Sequence, residues 1–214
     1  MNNGLELPVI AEDAGARADA TRNRARILET AARLFSERGP DCVSMDCIAE
    51  AAGVGKGTVF RRFGSRAALA QAVLSESERG FQERMIRGEP PLGPGAPPSE
   101  RLIAFGEGVL DHLDSHAALI AAAELGGARF NSAPYGVYRA HVALLLAEAD
   151  PGCDADALAE MLLAILTADL FIHMRGLREL PLERFKAAWR ELVTRLLERH
   201  PAQAAGAVRG LAGP

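Results

Sequence analysis

Apolar residues between Thr21 and Arg38 recur at helical spacing. Ile27, Leu28, Ala31, Leu34 and Phe35 fall on one face, and Gly39-Pro40 ends the pattern. A shorter pattern follows from Met45 to Phe63. Ile48, Ala52, Val54 and Val59 are its apolar positions, and Ala49 is small enough for a close helix crossing. Gly53 sits where the first short helix must stop, because glycine accepts a positive φ without steric cost. Ser44 is placed to cap that helix, and Asp46 adds favourable charge in its first turn. Lys56–Phe63 is predicted as the second short helix. Lys56, Thr58, Arg61 and Arg62 are then left pointing outward. The pair reads as a helix-turn-helix whose second helix can enter a DNA major groove. Ser65 caps a fourth helix that runs to about Arg87.

The segment GEPPLGPGAPP, residues 88–98, cannot be helical and marks a boundary. Beyond it, helices are predicted at about Ser99–Ser115 and His116–Leu125, with Gly126-Gly127 breaking the second. Pro134 starts another that runs to about Ala149. Asp154 caps a long apolar helix to about Arg175, and Pro181 starts the last, which ends near His200. No window alternates with period two, so no sheet is expected. The expected fold is all-α with about nine helices, four before the Pro-rich segment and five after it. Residues 1–18 are polar and aperiodic and are expected to form a disordered arm. Residues 19–66 are expected to be a helix-turn-helix domain, 67–200 a helical body and 201–214 a flexible tail.

Composition supports this reading. Hydrophobic residues make up 49% of the 214, but aromatics only 5%, so the core must be mainly Ala, Leu, Ile and Val. The net charge of −4 is unevenly spread: residues 17–88 carry +4 and residues 89–214 carry −5. A basic N-terminal part on an acidic body suits a protein that touches DNA with one end. Cys42, Cys47 and Cys153 are odd in number and lack C-x-x-C spacing, so neither a disulfide framework nor a zinc site follows. Met161–Ile172, the most apolar run, is too short to span a bilayer and contains Asp169. The N-terminus lacks the pattern of a signal peptide. A soluble, cytoplasmic chain with no membrane partner is expected. No nucleophile–base motif, phosphate loop, metal-ligand spacing or cofactor motif stands out, and no enzyme is expected.

The order of elements resembles the TetR (tetracycline-repressor) family of bacterial regulators. The resemblance rests on ILETAARLFSERG at 27–39, IAEAAGVGKGTVFRRF at 48–63 and SRAAL at 65–69, within about Arg24 to Leu74. It implies a DNA-binding head and a helical body that dimerises and binds a small-molecule effector. It also implies that Ser44, Lys56, Gly57 and Thr58 contact phosphate, and that Arg66 makes a further backbone contact. Phe60 stands where the family more often has Tyr, and Gly55 where Ser or Ala is common; a polar contact is missing at each. Arg61 is the leading candidate for reading a base edge, followed by Lys56 and Arg62; a solvated helix face is the plain alternative. Arg22, Arg24 and Arg26 could track phosphates or the minor groove, or simply open the first helix.

The same resemblance places an effector pocket within about residues 99–175. The polar candidates there are His112, His116, Glu124, Arg129, Tyr135, Tyr138, His141, Asp169 and His173. Asp169 and His173 lie at i, i+4 in register with Leu162, Ile165 and Leu166, so they could line a pocket, meet across a dimer interface or form a satisfied pair. Leu162, Ile165, Phe185, Trp189, Val193 and Leu196 are the dimer-interface candidates, with burial in the monomer as the alternative. The expectation is a ligand-responsive repressor that binds a near-palindromic operator as a homodimer. An effector-insensitive architectural DNA binder and an activator are the alternatives.

Overall fold

The computed structural model describes residues 11–123 and 132–198, and every regular element among them is helical. The order is α1 (Ala11–Arg38), a 3-10 turn (Pro40–Cys42), α2 (Met45–Ala51), α3 (Lys56–Phe63), α4 (Arg66–Arg87), α5 (Pro98–Ala123) and α6 (Ala133–Ala149). Then come α7 (Ala155–Ala164), α8 (Ala168–Ile172), a π-turn (His173–Leu177) and α9 (Leu182–Leu197). The candidates Glu124 and Arg129, the Gly126-Gly127 break and the expected tail at 201–214 lie outside the described residues.

The described residues form two compact units, one up to Arg79 with Ala118–Ala123, the other Gly80–Ala117 with Ser132 onward. The first unit packs Ile27, Leu28, Ala31, Leu34 and Phe35 of α1 against Ile48 and Ala49 of α2, Val59 of α3, and Leu69 and Val73 of α4. Burying each larger aliphatic or aromatic side chain contributes about 1.5–3 kcal/mol. The α2 turn closes as expected: Gly53 has φ +61°, and the amides of Gly53 and Val54 donate to the carbonyls of Glu50 and Ala49. Helix α1 begins at Ala11, not Thr21, so residues 11–18 are helical where an arm was expected. The segment AEDAGARA lacks an apolar face but is rich in alanine, with acidic residues in its first turn, and intrinsic propensity carries it.

In the second unit, Phe81 and Met85 of α4, Leu102, Phe105 and Leu110 of α5, Val142, Leu145 and Leu146 of α6, Leu162 and Leu163 of α7, Phe171 of α8, and Trp189 and Val193 of α9 are buried. Two expectations fail here. Helix α5 is continuous through Ser115-His116, where a break was expected, and the Ser115 hydroxyl donates to the Asp111 carbonyl one turn back, 3.2 Å away. Conversely, the long helix expected over Asp154–Arg175 breaks after Ala164. The Thr167 hydroxyl accepts from the Leu170 amide at 3.4 Å and starts α8 anew, and the segment Ala168–Leu177 is bent 41° from α7. No single helix among the described residues is long and apolar enough to cross a membrane; the bent pair Ala155–Ala164 and Ala168–Leu177 meets length and composition only together.

Candidate functional site

In the first unit, backbone geometry sets up the exposed face. Ser44 Oγ accepts from the Cys47 amide at 3.1 Å and fixes the start of α2; Ser65 Oγ does the same for α4 through the Ala68 amide at 3.1 Å. Val59 is fully buried under α3, and Thr58 is half-buried beside it. Lys56, Gly57, Phe60, Arg61 and Arg62 of α3 are exposed.

The cations here are not equally available. Arg61 makes no hydrogen bond or ion pair among the described residues. Arg62 donates to the Ala20 carbonyl of α1, and Lys56 pairs with Asp46 of α2. Arg66 donates to the carbonyls of Pro40 and Asp41, each at 2.9 Å, and pairs with the Asp41 carboxylate at 3.2 Å. Arg66 thus ties the turn before α2 to the start of α4. Arg26 donates to Asn23 Oδ1 at 2.9 Å, while Arg24 pairs with Glu76 and lies 6.0 Å from the Phe63 ring centre. Surface pairs of this kind are weak, about 0–1 kcal/mol, so a phosphate can displace the Lys56–Asp46 pair more readily than it can strip Arg66 of three partners. Asp41, Ser44, Lys56, Phe60 and Arg66 line an open hollow of about 420 Å³. Cys42 is exposed at its edge, and Cys47 Sγ faces Arg38 Nη1 at 3.6 Å.

In the second unit, some of the predicted pocket residues come together. His112 and His116 stack at 4.8 Å on α5, and Arg84 of α4 acts electrostatically on His112. Arg84 lies 5.6 Å over Phe81, whose ring is 6.0 Å from Phe105 and 5.7 Å from Tyr138. Phe105 in turn meets Tyr138 at 5.2 Å and His141 at 5.6 Å. Burial pushes His112 and His141 down to about 4, helped by His116 and Arg84 for the first and Arg101 for the second. His116 is lowered too, mainly by burial. Sequence reasoning missed Arg84, Arg101, Phe81 and Phe105. The signal was present on α5: Arg101, Phe105, His112 and His116 recur at offsets of four, seven and four, so polar groups interrupt one helix face.

Other candidates fall elsewhere. Tyr135 donates to Glu160 of α7, and Arg139 pairs with Asp156 at 2.8 Å, so Tyr135 belongs to the α6–α7 contact. Asp169 and His173 are exposed, because the break at Thr167 takes them out of the register of Leu162. Leu162, Trp189 and Val193 are buried inside the protomer, with exposures of 5%, 3% and 0%. Trp189 Nε1 donates to the Ile103 carbonyl at 3.1 Å, and Phe185 stacks on Phe171 at 5.9 Å. Phe185 and Ile165 are half-buried. Leu196 remains exposed, together with Met161, Ile172, Leu177 and Leu192. No group of three or more metal-ligating side chains occurs among the described residues.

Residues 27–73 match the family of bacterial regulatory proteins called tetR. An uncharacterised helix-turn-helix transcriptional regulator of Mycobacterium tuberculosis is 40% identical over 79 residues, 36% of this chain and 37% of that protein. A helix-turn-helix transcriptional regulator of Staphylococcus aureus is 43% identical over 58 residues, 27% of this chain and 31% of that protein. The matched segment spans about a third of the length of these curated relatives. Among solved structures, a protein from Saccharomonospora viridis in complex with choline superposes with TM-score 0.67 at 21% identity, covering 84% of this chain and 97% of that one. NalD, the secondary repressor of the MexAB-OprM multidrug efflux pump in Pseudomonas aeruginosa, gives TM-score 0.52 at 21% identity over 83% and 96%. At these identities the two structures establish a shared fold.

Proposed function

We propose that this chain, whose residues 27–73 match the tetR family of bacterial regulatory proteins, is a transcriptional regulator of that family binding a near-palindromic DNA operator as a homodimer. The observation that carries the reading is the exposed face of α3, where Arg61 stands without a partner among the described residues and Lys56 holds only a surface pair. Arg61 reads a base edge. Lys56, Gly57, Thr58 and the α2 start contact phosphate, and Arg62 and Arg66 chiefly brace the fold behind them. In this scheme 19–66 is the DNA-binding head and 67–200 the effector-binding and dimerisation body.

The dimer forms through exposed apolar residues, Met161 of α7 with Leu192 and Leu196 of α9, rather than through Leu162, Trp189 or Val193. Two recognition helices about 34–36 Å apart meet successive major grooves on one side of the duplex. A small molecule bound in the body releases the operator. It shifts the population toward a conformation in which α4, shared by Leu69 and Phe81, no longer holds the heads at that spacing. Repression is the mode proposed, as borne by NalD among the structural neighbours.

Hydroxyl-radical footprinting on a bound genomic fragment tests this. Two symmetry-related protected patches one helical turn apart are expected. Uniform protection that follows no sequence would point instead to an architectural binder.

A further inference from the structure

Two buried nitrogen atoms in the second unit lack a hydrogen-bond partner among the described residues: Arg101 Nε and His141 Nε2. Arg101 acts electrostatically on His141, so the two lie in one neighbourhood at the end of the ring row that runs through Phe105 and Phe81 to Arg84 and His112. An unmet buried donor beside a charge is destabilising, and such a group in a native protein calls for a partner. The carboxylates of α5 do not provide it. Glu100 is exposed, Glu107 pairs with Arg190, Asp111 with Lys186 at 2.6 Å, and Asp114 with Arg175 at 3.1 Å. The charged groups acting on the histidines of the row are thus cations, Arg84 and Arg101.

We infer that this row binds an organic carboxylate with an apolar body, the carboxylate accepting from Arg101 Nε and His141 Nε2 while Phe105 and Phe81 receive the body. The inference rests on the reading of the second unit as the effector-binding body and names the chemistry of that effector. A carboxylate satisfies both nitrogens with charge-assisted bonds, which are strong where water is excluded. A neutral ligand leaves the Arg101 charge uncompensated, and an ammonium is repelled by Arg84 and Arg101. Because His141 is neutral near pH 7 in the free protein, the anion also draws a proton onto its ring.

Three probes of one shape test it on the full-length protein: benzoate, benzyl alcohol and benzylamine. Binding is followed by NMR at the imidazole Cε1–H of His141. Benzoate is expected to saturate, to raise the pH midpoint of His141, and to bind more tightly as pH falls. The alcohol and the amine are expected to bind at least about tenfold more weakly. Arg101→Gln weakens benzoate by roughly tenfold or more, while Arg101→Lys retains its preference over benzylamine; thermal melts establish that both variants are folded. The inference is overturned if benzoate leaves His141 unmoved up to its solubility limit, if the amine or alcohol binds as well, or if folded Arg101→Gln binds benzoate undiminished. No DNA enters this test. A protein that binds an operator but not benzoate loses this inference alone; one that binds benzoate here but no operator loses the regulator reading alone.

Discussion

Arg61 and Arg62 are adjacent and chemically identical, yet their contacts differ. Arg61 is unengaged among the described residues, whereas Arg62 donates to the Ala20 carbonyl of α1. Arg61→Ala should therefore lower specific operator affinity by about 1–3 kcal/mol while leaving the melting temperature nearly unchanged. Arg62→Ala should instead destabilise the first unit by about 1 kcal/mol, with a smaller and sequence-independent loss of DNA affinity. Fluorescence anisotropy on specific and scrambled duplexes, paired with urea unfolding, separates the two. Sequence alone could place both arginines outward, because Val59 fixes the buried side of α3. It could not show that Arg62 reaches α1, since that contact spans 42 positions of chain. For the same reason Arg66 read as a DNA contact, although it is held by Pro40 and Asp41.

At the scale of elements, local signals were legible where one side chain or one glycine decides the outcome. Ser44, Ser65, Ser132 and Asp154 all cap as their residue types predict, and Gly53 takes the positive φ its position requires. Gly53→Ala should cost roughly 1–2 kcal/mol, seen as a lowered urea midpoint at unchanged m-value. The failures came where two local rules competed. Ser115 could cap or bond back to its own helix, and Thr167 could continue a helix or restart one; packing chose, and packing is not local. Gly106 is a second packing-determined site. A Cβ there would lie 1.9 Å from the Trp189 ring, so Gly106→Ala should destabilise the second unit by about 1–3 kcal/mol.

The buried histidines give the second unit a pH dependence. With His112 and His141 held near 4 against an ordinary 6.5, the unfolded chain takes up protons first as pH falls. Their contribution is complete above about pH 6.5 and is lost progressively toward about pH 4. Melting curves should shift downward between about pH 7.5 and pH 5, and His112→Gln should flatten that dependence. An unchanged slope in the variant would show that His112 is not the group responsible.

For the whole molecule, the proposed dimer is where the sequence was least able to choose. Residues of α7 and α9 are apolar on more than one face, and which face turns inward depends on the partner helices. The structure buries Leu162, Trp189 and Val193 and leaves Met161, Leu192 and Leu196 outside. Leu192→Glu should therefore yield a folded monomer by sedimentation velocity, whereas Trp189→Ala should cost about 3–5 kcal/mol of stability. The head was legible because its helices are short, locally capped and charged on one side. The proposed effector site was only half legible: His112, His116, Tyr138 and His141 were visible as polar interruptions, but their cationic neighbours come from α4 and the start of α5.

The central claim is sequence-specific DNA recognition through α3. The direct test is to incubate fragmented host genomic DNA with the purified protein at near-physiological salt and sequence what is retained. The account predicts enrichment of a near-palindrome, lost on Arg61→Ala in a protein that still folds. Retention that follows no sequence, weakens steeply with salt and is untouched by Arg61→Ala would contradict it.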